Sequence, residues 1–199
     1  PGGHPPRSQF GRGFTGLTWT LKQFSVFSEN MYADLESSPA FLNTMVETII
    51  EQAGSLADLV ENKIIMIYSD TSTGGIATRM RQQLNENSKL LVNTHVLPEM
   101  NHNELVGWSG GDNRFAPVFF STGDLHPRNQ KRLEITMSAV EKKAGKIYVL
   151  SAKGSSFIER SLYLIHLVDW SSYYLCEMNK ADIMDIEIID YLKGELSNF

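Results

Sequence analysis

The segment Lys63-Ile64-Ile65-Met66-Ile67-Tyr68-Ser69 constrains the fold more than any other part of the 199-residue chain. It is a short, unbroken apolar run, the pattern of a strand buried on both faces. Strands covered on both faces belong to parallel sheets, and parallel neighbours are joined by crossover helices. The rest of the chain supplies that alternation. Ile76 to Glu86 reads as a helix with Ala77, Met80 and Leu84 on its apolar side, and Thr94 to Leu97 as a second strand. A short helix beginning near Met100, with Asn101 as its N-cap, precedes a third strand at Phe115 to Ser121. A helix over His126 to Ala144, a strand over Lys146 to Leu150, a long apolar helix over Ser155 to Leu175 and a last helix within Asp182 to Leu196 complete the order. Strand and helix in alternation predict an α/β fold: a doubly wound parallel sheet flanked by helices in three layers, as in flavodoxin-like proteins. Ligands of such sheets sit at the carboxyl ends of the strands, here the loops 69–75, 98–104, 121–127 and 151–156.

The part before residue 63 is less regular. Residues 1–16, rich in Gly, Pro, Ser and Arg, read as a linker, and Leu17 to Tyr32 as helical. Ser38 followed by Pro39 is a helix-start signal, an N-cap with proline at the first helical position. Phe41, Leu42, Met45, Val46, Ile49 and Ile50 then recur at helical spacing, with Gly54 a point of interruption. These features divide the chain into a connecting segment, 1–36, and a domain, 37–199.

Composition removes several classes of function. Ten Phe, 7 Tyr and 3 Trp do not belong to a chain disordered throughout. The single cysteine, Cys176, allows no internal disulfide and no thiolate-rich zinc site, and it fits a reducing, cytoplasmic setting. No run of 18 apolar residues is available to cross a membrane, and a net charge of −5 argues against nonspecific binding of nucleic acid. His95 and His102, with Glu99 between them, lack the zincin spacing, so no metal is expected.

Four constellations could carry chemistry. Ser69-Asp70-Thr71-Ser72-Thr73-Gly74-Gly75, between a strand and a helix, is either a capped connection or a cradle of backbone N–H groups for an anion; it matches neither a Walker loop nor a dinucleotide fingerprint. Pro98-Glu99-Met100-Asn101-His102-Asn103-Glu104 crowds two carboxylates and a histidine after a strand. There Glu104 is either a general base beside apolar Leu105 and Trp108 or the second half of a capping box begun by Asn101. Asp124-Leu125-His126-Pro127-Arg128 puts a histidine at an electropositive helix start, suited to proton transfer or simply solvated. Lys193, near the end of the last helix, reads locally as a solvated lysine.

Taken together these segments resemble the bifunctional phosphoglucose/phosphomannose isomerases of the sugar isomerase (SIS) superfamily. The most specific is Pro98-Glu99-Met100-Asn101-His102-Asn103-Glu104. Ala77-x-Arg79-x-x-x-Gln83-Leu84-Asn85-Glu86-Asn87, His126-Pro127-Arg128, Leu167-Val168-Asp169-Trp170-Ser171-Ser172 and Ile189-Asp190-Tyr191-Leu192-Lys193 keep family order. The resemblance implies the second of two SIS domains, with Pro5-Pro6-Arg7 from the end of the first. It implies cofactor-free conversion of glucose 6-phosphate or mannose 6-phosphate to fructose 6-phosphate through a cis-enediol, a step of glycolysis and gluconeogenesis. Glu104 would move the proton between C1 and C2. His126, reaching in from the partner of a homodimer, would assist ring opening, and Lys193 would act at the ring oxygen. Arg7 and Pro6 would lie on the substrate side, where Arg7 offsets enediolate charge. The family's phosphate loop belongs to its first domain. The start at Pro1, without an initiator methionine, therefore reads as a cut between domains, and the isolated chain is expected to be nearly inactive, with apolar surface uncovered around Phe14 to Tyr32. Two other readings share the fold: a non-catalytic SIS module that binds a sugar phosphate, and a flavodoxin-like domain for a flavin or nucleotide.

Overall fold

A computed structural model describes residues 4–199. Its centre is a sheet of four parallel strands, β1 (Ile64–Asp70), β2 (Asn93–Leu97), β3 (Phe115–Ser121) and β4 (Tyr148–Ser151), in the spatial order β2-β1-β3-β4. Alternation along each strand sends side chains to two different cores. Ile65, Ile67, Ala116, Val118, Phe120 and Leu150 face the larger one. Tyr68, Leu97 and Phe119, with partly buried Met66 and Phe115, face the smaller one. Both faces are covered, as the apolar run at residues 63–69 required, and the α/β class with a flanked parallel sheet stands as expected.

Helices α1 (Phe10–Gln23), α2 (Glu29–Val60), α3 (Gly74–Ser88), α4 (Glu104–Gly107), α5 (Pro127–Ala144), α6 (Phe157–Met178) and α7 (Glu187–Ser197) follow the chain order. The larger core packs α2, α3 and α6 against one face of the sheet through Ile49, Leu56, Met80, Leu84, Tyr163, Leu164 and Leu167. On the opposite face α5 contributes Leu133, Val140 and Ala144, with Met100 and Trp108 from the segment after β2. Among the described residues no helix is long and apolar enough to cross a membrane.

The first sixty residues depart from the expected outline. Residues 6–16 are not a linker: Pro6–Gln9 form a 3-10 turn that runs into α1. Nor does a helix begin at Ser38. The N-cap is Ser28, whose hydroxyl accepts from the Met31 N–H, and α2 continues through Pro39 and Gly54. Proline removes one N–H inside the helix, and the Ser38 hydroxyl donates back to the Asp34 carbonyl at 2.5 Å, a local pairing common where helices bend. A Ser-Pro pair is a start signal only when the preceding residues have somewhere else to go; here Tyr32 is already buried. The chain runs from residue 36 to 37 inside α2. Around the break between α1 and α2, Leu17, Trp19, Phe24 and Val26 are exposed, the apolar surface expected in this region.

Polar groups fasten the N-terminal segment to the sheet layers. The Arg79 guanidinium donates twice to Asp169, at 2.9 and 2.7 Å, and once to the Arg7 carbonyl, and it lies 4.7 Å from the centre of the Phe10 ring. Gln83 donates to the same carboxylate.

The start of α6 gives a pH-dependent prediction. The Ser156 hydroxyl accepts from the Glu159 N–H, and the Glu159 carboxylate accepts from both the N–H and the hydroxyl of Ser155 at 2.7 Å. Those Ser155 donors hold the Glu159 carboxyl below the usual glutamate range. Gly154 makes room for this arrangement: at φ +129° it occupies a backbone region that strains other residues, and a Cβ there would lie 2.6 Å from that of Glu159. A depressed folded-state pKa adds stability above the unfolded value, and that stability is lost as pH falls through the folded value. Glu159→Gln is therefore expected to cost about 1 kcal/mol at neutral pH. The gap from wild type should close in acid, below the ordinary glutamate pKa of about 4.3. Urea titrations of both proteins across pH measure it; a constant gap would mean that the charge of Glu159 adds nothing.

Candidate active site

After β2 the chain makes a 3-10 turn over Glu99–His102, the single turn of α4, and a second 3-10 turn over Trp108–Gly110. Glu104 is the first residue of α4. Its N–H donates to the side-chain oxygen of Asn103 at 2.6 Å, so the cap is Asn103 and not Asn101. The Asn101 amide instead donates to Thr136 Oγ1 on α5 at 2.8 Å. Proline and a 3-10 turn after the strand push the helix start two residues later than its residue pattern indicated.

This offset frees the Glu104 carboxylate from capping. Oε1 accepts from the Tyr68 hydroxyl at 2.5 Å, and Oε2 lies 2.8 Å from His95 Nδ1. The Trp108 indole N–H donates to the same Tyr68 oxygen at 2.9 Å. Tyr68 and His95 are direct neighbours across the β1–β2 ladder, and Phe119 flanks Tyr68 on β3 with ring centres 4.9 Å apart. Tyr68 is fully buried. Burial first, and then the adjacent Glu104 charge, push its phenol far above the ordinary tyrosine range, so it stays a protonated donor. Glu104 itself is partly exposed and lines a cavity of about 270 Å³ with Met66, Gly107, Trp108, Gly111 and Phe115. A carboxylate held by two donors and lining a mainly apolar cavity is equipped to take a proton from a bound molecule.

The other expected site residues lie elsewhere. His126 is the exposed N-cap of α5; its Nδ1 accepts from the Arg128 N–H at 3.2 Å, which leaves Nε2 as the protonated nitrogen of the neutral ring. Lys193, on α7, is exposed and 3.6 Å from Asp190. Arg7 is largely buried and fully engaged. It donates to Asn87 at 2.7 Å, to Glu86 at 3.1 Å and to the Ile183 carbonyl, while Pro6 begins the 3-10 turn beside it. Among the described residues no hydrogen bond or ion pair joins Glu104, His126, Lys193 and Arg7 to one another.

The loop after β1 is a capped connection. The Asp70 carboxylate accepts from the Ser72 N–H and from Asn129 on α5, and Thr71 donates to the Leu97 carbonyl. The Ser72 N–H is thus already taken by an internal carboxylate. Sequence reasoning named Trp108 as an apolar neighbour of Glu104 and weighed His95 only as a metal ligand, and it missed Tyr68, which reads as core. Only the ladder register brings Tyr68 and His95 together under Glu104. A histidine paired in register with a tyrosine on a strand otherwise buried was the available signal.

Comparison with known proteins follows this geometry. The family model described as bacterial phospho-glucose isomerase C-terminal SIS domain matches residues 49–196. The chain is 34% identical over 165 residues to the bifunctional phosphoglucose/phosphomannose isomerase of Aquifex aeolicus (strain VF5), covering 82% of this chain and 52% of the relative. It is 28% identical over 198 residues to the protein of the same description from Thermoplasma acidophilum, covering 99% and 61%. The chain thus spans about half to three-fifths the length of these curated relatives. Among solved structures, a glucose-6-phosphate isomerase like protein from Thermus thermophilus aligns with TM-score 0.58 at 19% identity over 71% of this chain and 46% of that one. A phosphosugar isomerase described as putative, from Clostridium difficile 630, aligns with TM-score 0.63 at 12% identity over 86% and 52%. The structural likenesses establish the fold.

Proposed function

Since the chain belongs to the family of bacterial phosphoglucose isomerase C-terminal SIS domains, we propose that its protein interconverts glucose 6-phosphate or mannose 6-phosphate with fructose 6-phosphate. The observation that carries this reading is the Glu104 carboxylate, held between Tyr68 and His95 and lining a cavity. In the proposed reaction Glu104 takes the proton from C2 of the open-chain aldose, O1 gains a proton as the cis-enediol forms, the O2 hydroxyl loses one as the ketone forms, and Glu104 returns its proton to C1. One carboxylate suffices because the two carbons are adjacent and the proton leaves and returns on one face. The reaction needs no cofactor.

His126 is assigned to ring opening, delivered to the site of a partner subunit in a homodimer. Its exposed ring, with Nδ1 committed to the helix cap, supports a donor role for Nε2. Lys193 is assigned to the ring oxygen. Pro6 and Arg7 are assigned to the substrate side; Arg7 reaches an enediolate only by exchanging its Glu86 and Asn87 partners, so its contribution is the smallest of the set. Phosphate binding is assigned to a preceding SIS domain. Residues 1–199 alone are therefore expected to turn over very little, because remote phosphate contacts supply energy used at the reacting carbons.

Incubation of the full-length protein with fructose 6-phosphate in heavy water tests the chemistry. Glucose 6-phosphate and mannose 6-phosphate carrying deuterium at C2 in part of the molecules are the expected products, because the proton held on Glu104 exchanges with solvent in some turnovers before it is returned. Binding without conversion would leave a non-catalytic sugar-phosphate module. Conversion with no deuterium in product or recovered substrate, even on long incubation, would count against a proton held on a solvent-exchangeable carboxylate.

A further inference from the structure

We propose that Tyr68 and His95 are positioning residues for Glu104, and that Trp108 and Gly111 fix the direction of the Tyr68 donor. The proposal rests on Glu104 being the base.

Glu104 stands on one helical turn between two 3-10 turns, a short element with little rigidity of its own. The two groups that grip its carboxylate stand on adjacent hydrogen-bonded strands, Tyr68 on the inner strand β1 and His95 on the edge strand β2, at one register step. Strand neighbours are held about 4.8 Å apart by the ladder. The two donors therefore fix both carboxylate oxygens, and with them the plane of the group and the direction of its remaining lone pairs. Sites borne by rigid elements hold geometry better than sites borne by loops.

The tyrosine is itself aimed. Its oxygen accepts from Trp108, so its hydrogen is left to point at Glu104 Oε1. The indole packs edge-on to Phe115, at 5.5 Å between ring centres, and a Cβ on residue 111 would lie 2.4 Å from Trp108 Cε3. Glycine at 111 is thus required for the indole to sit where it does. The titratable groups in contact with Glu104 are Tyr68 from β1 and His95 from β2; the group behind Tyr68, Trp108, is neutral. Donors to a carboxylate stabilise its ionised form, the form a base needs.

The test compares Tyr68→Phe, His95→Ala and His95→Asn with Glu104→Gln in the full-length protein. Asparagine places an N–H donor near the position of Nδ1. Tyr68→Phe and His95→Ala are each expected to lower kcat about tenfold, the loss of one hydrogen bond to a charged group. KM should stay within about twofold. His95→Asn should recover most of the kcat. If Glu104→Gln is inactive while Tyr68→Phe and His95→Ala keep wild-type kcat and KM, positioning is overturned and the base assignment stands. If Glu104→Gln keeps full activity, both fall. Circular dichroism checks folding; should Tyr68→Phe not fold, His95→Ala, on a side chain still partly open to solvent, decides the matter.

Discussion

Glu104→Gln is expected to lower kcat for the proposed fructose 6-phosphate isomerisation by about a thousandfold, within the range general-base catalysis contributes. Glutamine has nearly the volume of glutamate, and its side-chain oxygen still accepts from the Tyr68 hydroxyl. The fold and the cavity of about 270 Å³ are therefore kept. What is lost is a basic lone pair: an amide oxygen does not hold a proton in water at neutral pH. Substrate binding, which the proposed function assigns to phosphate contacts elsewhere, should change little, so the deficit belongs in kcat rather than KM. Initial rates at saturating substrate measure it, and a variant retaining a tenth or more of wild-type kcat would remove Glu104 from the proton transfer.

The lower half of the chain was legible in its residues because strands buried on both faces announce themselves as apolar runs. β3 falls on Phe115–Ser121 as read, and β1 is displaced by one residue from 63–69. Burial on two faces leaves few alternatives for such a run. The long helix before it was not legible in this way. Its true cap, Ser28, is followed by Glu29 and Asn30, a weaker pattern than Ser38-Pro39, and the burial of Tyr32 that extends the helix is a tertiary event. The site divides along the same line. Glu104 was singled out because Asn-His-Asn-Glu is a specific local string. Tyr68 and His95 are 27 positions apart in sequence, and each is ordinary in its own strand; register, not local pattern, makes them a pair. The Asn101 capping reading failed for a similar reason. Its amide has a partner on α5, Thr136, that no local spacing reveals.

Leu164→Ala is expected to destabilise the protein by about 2–5 kcal/mol, whereas Leu192→Ala should change stability by no more than about 0.5 kcal/mol. Both leucines sit on amphipathic helices and look alike in sequence. Leu164 has no exposed surface and stands on α6 in the core that joins α2, α3 and the sheet, so its removal opens a cavity among residues that cannot close over it. Leu192 is 57% exposed on α7, next to Tyr191 and one turn from Ile188, both also exposed, and none of the residues of that helix is buried. At about 2–4 °C per kcal/mol for a chain of this size, the first substitution should lower Tm by roughly 4–20 °C, and the second should leave it within about 2 °C. Thermal unfolding of residues 1–199 followed by circular dichroism reads both. Equal losses for the two would mean that the apolar face of α7 is covered in solution, since only burial gives a leucine side chain that much to lose.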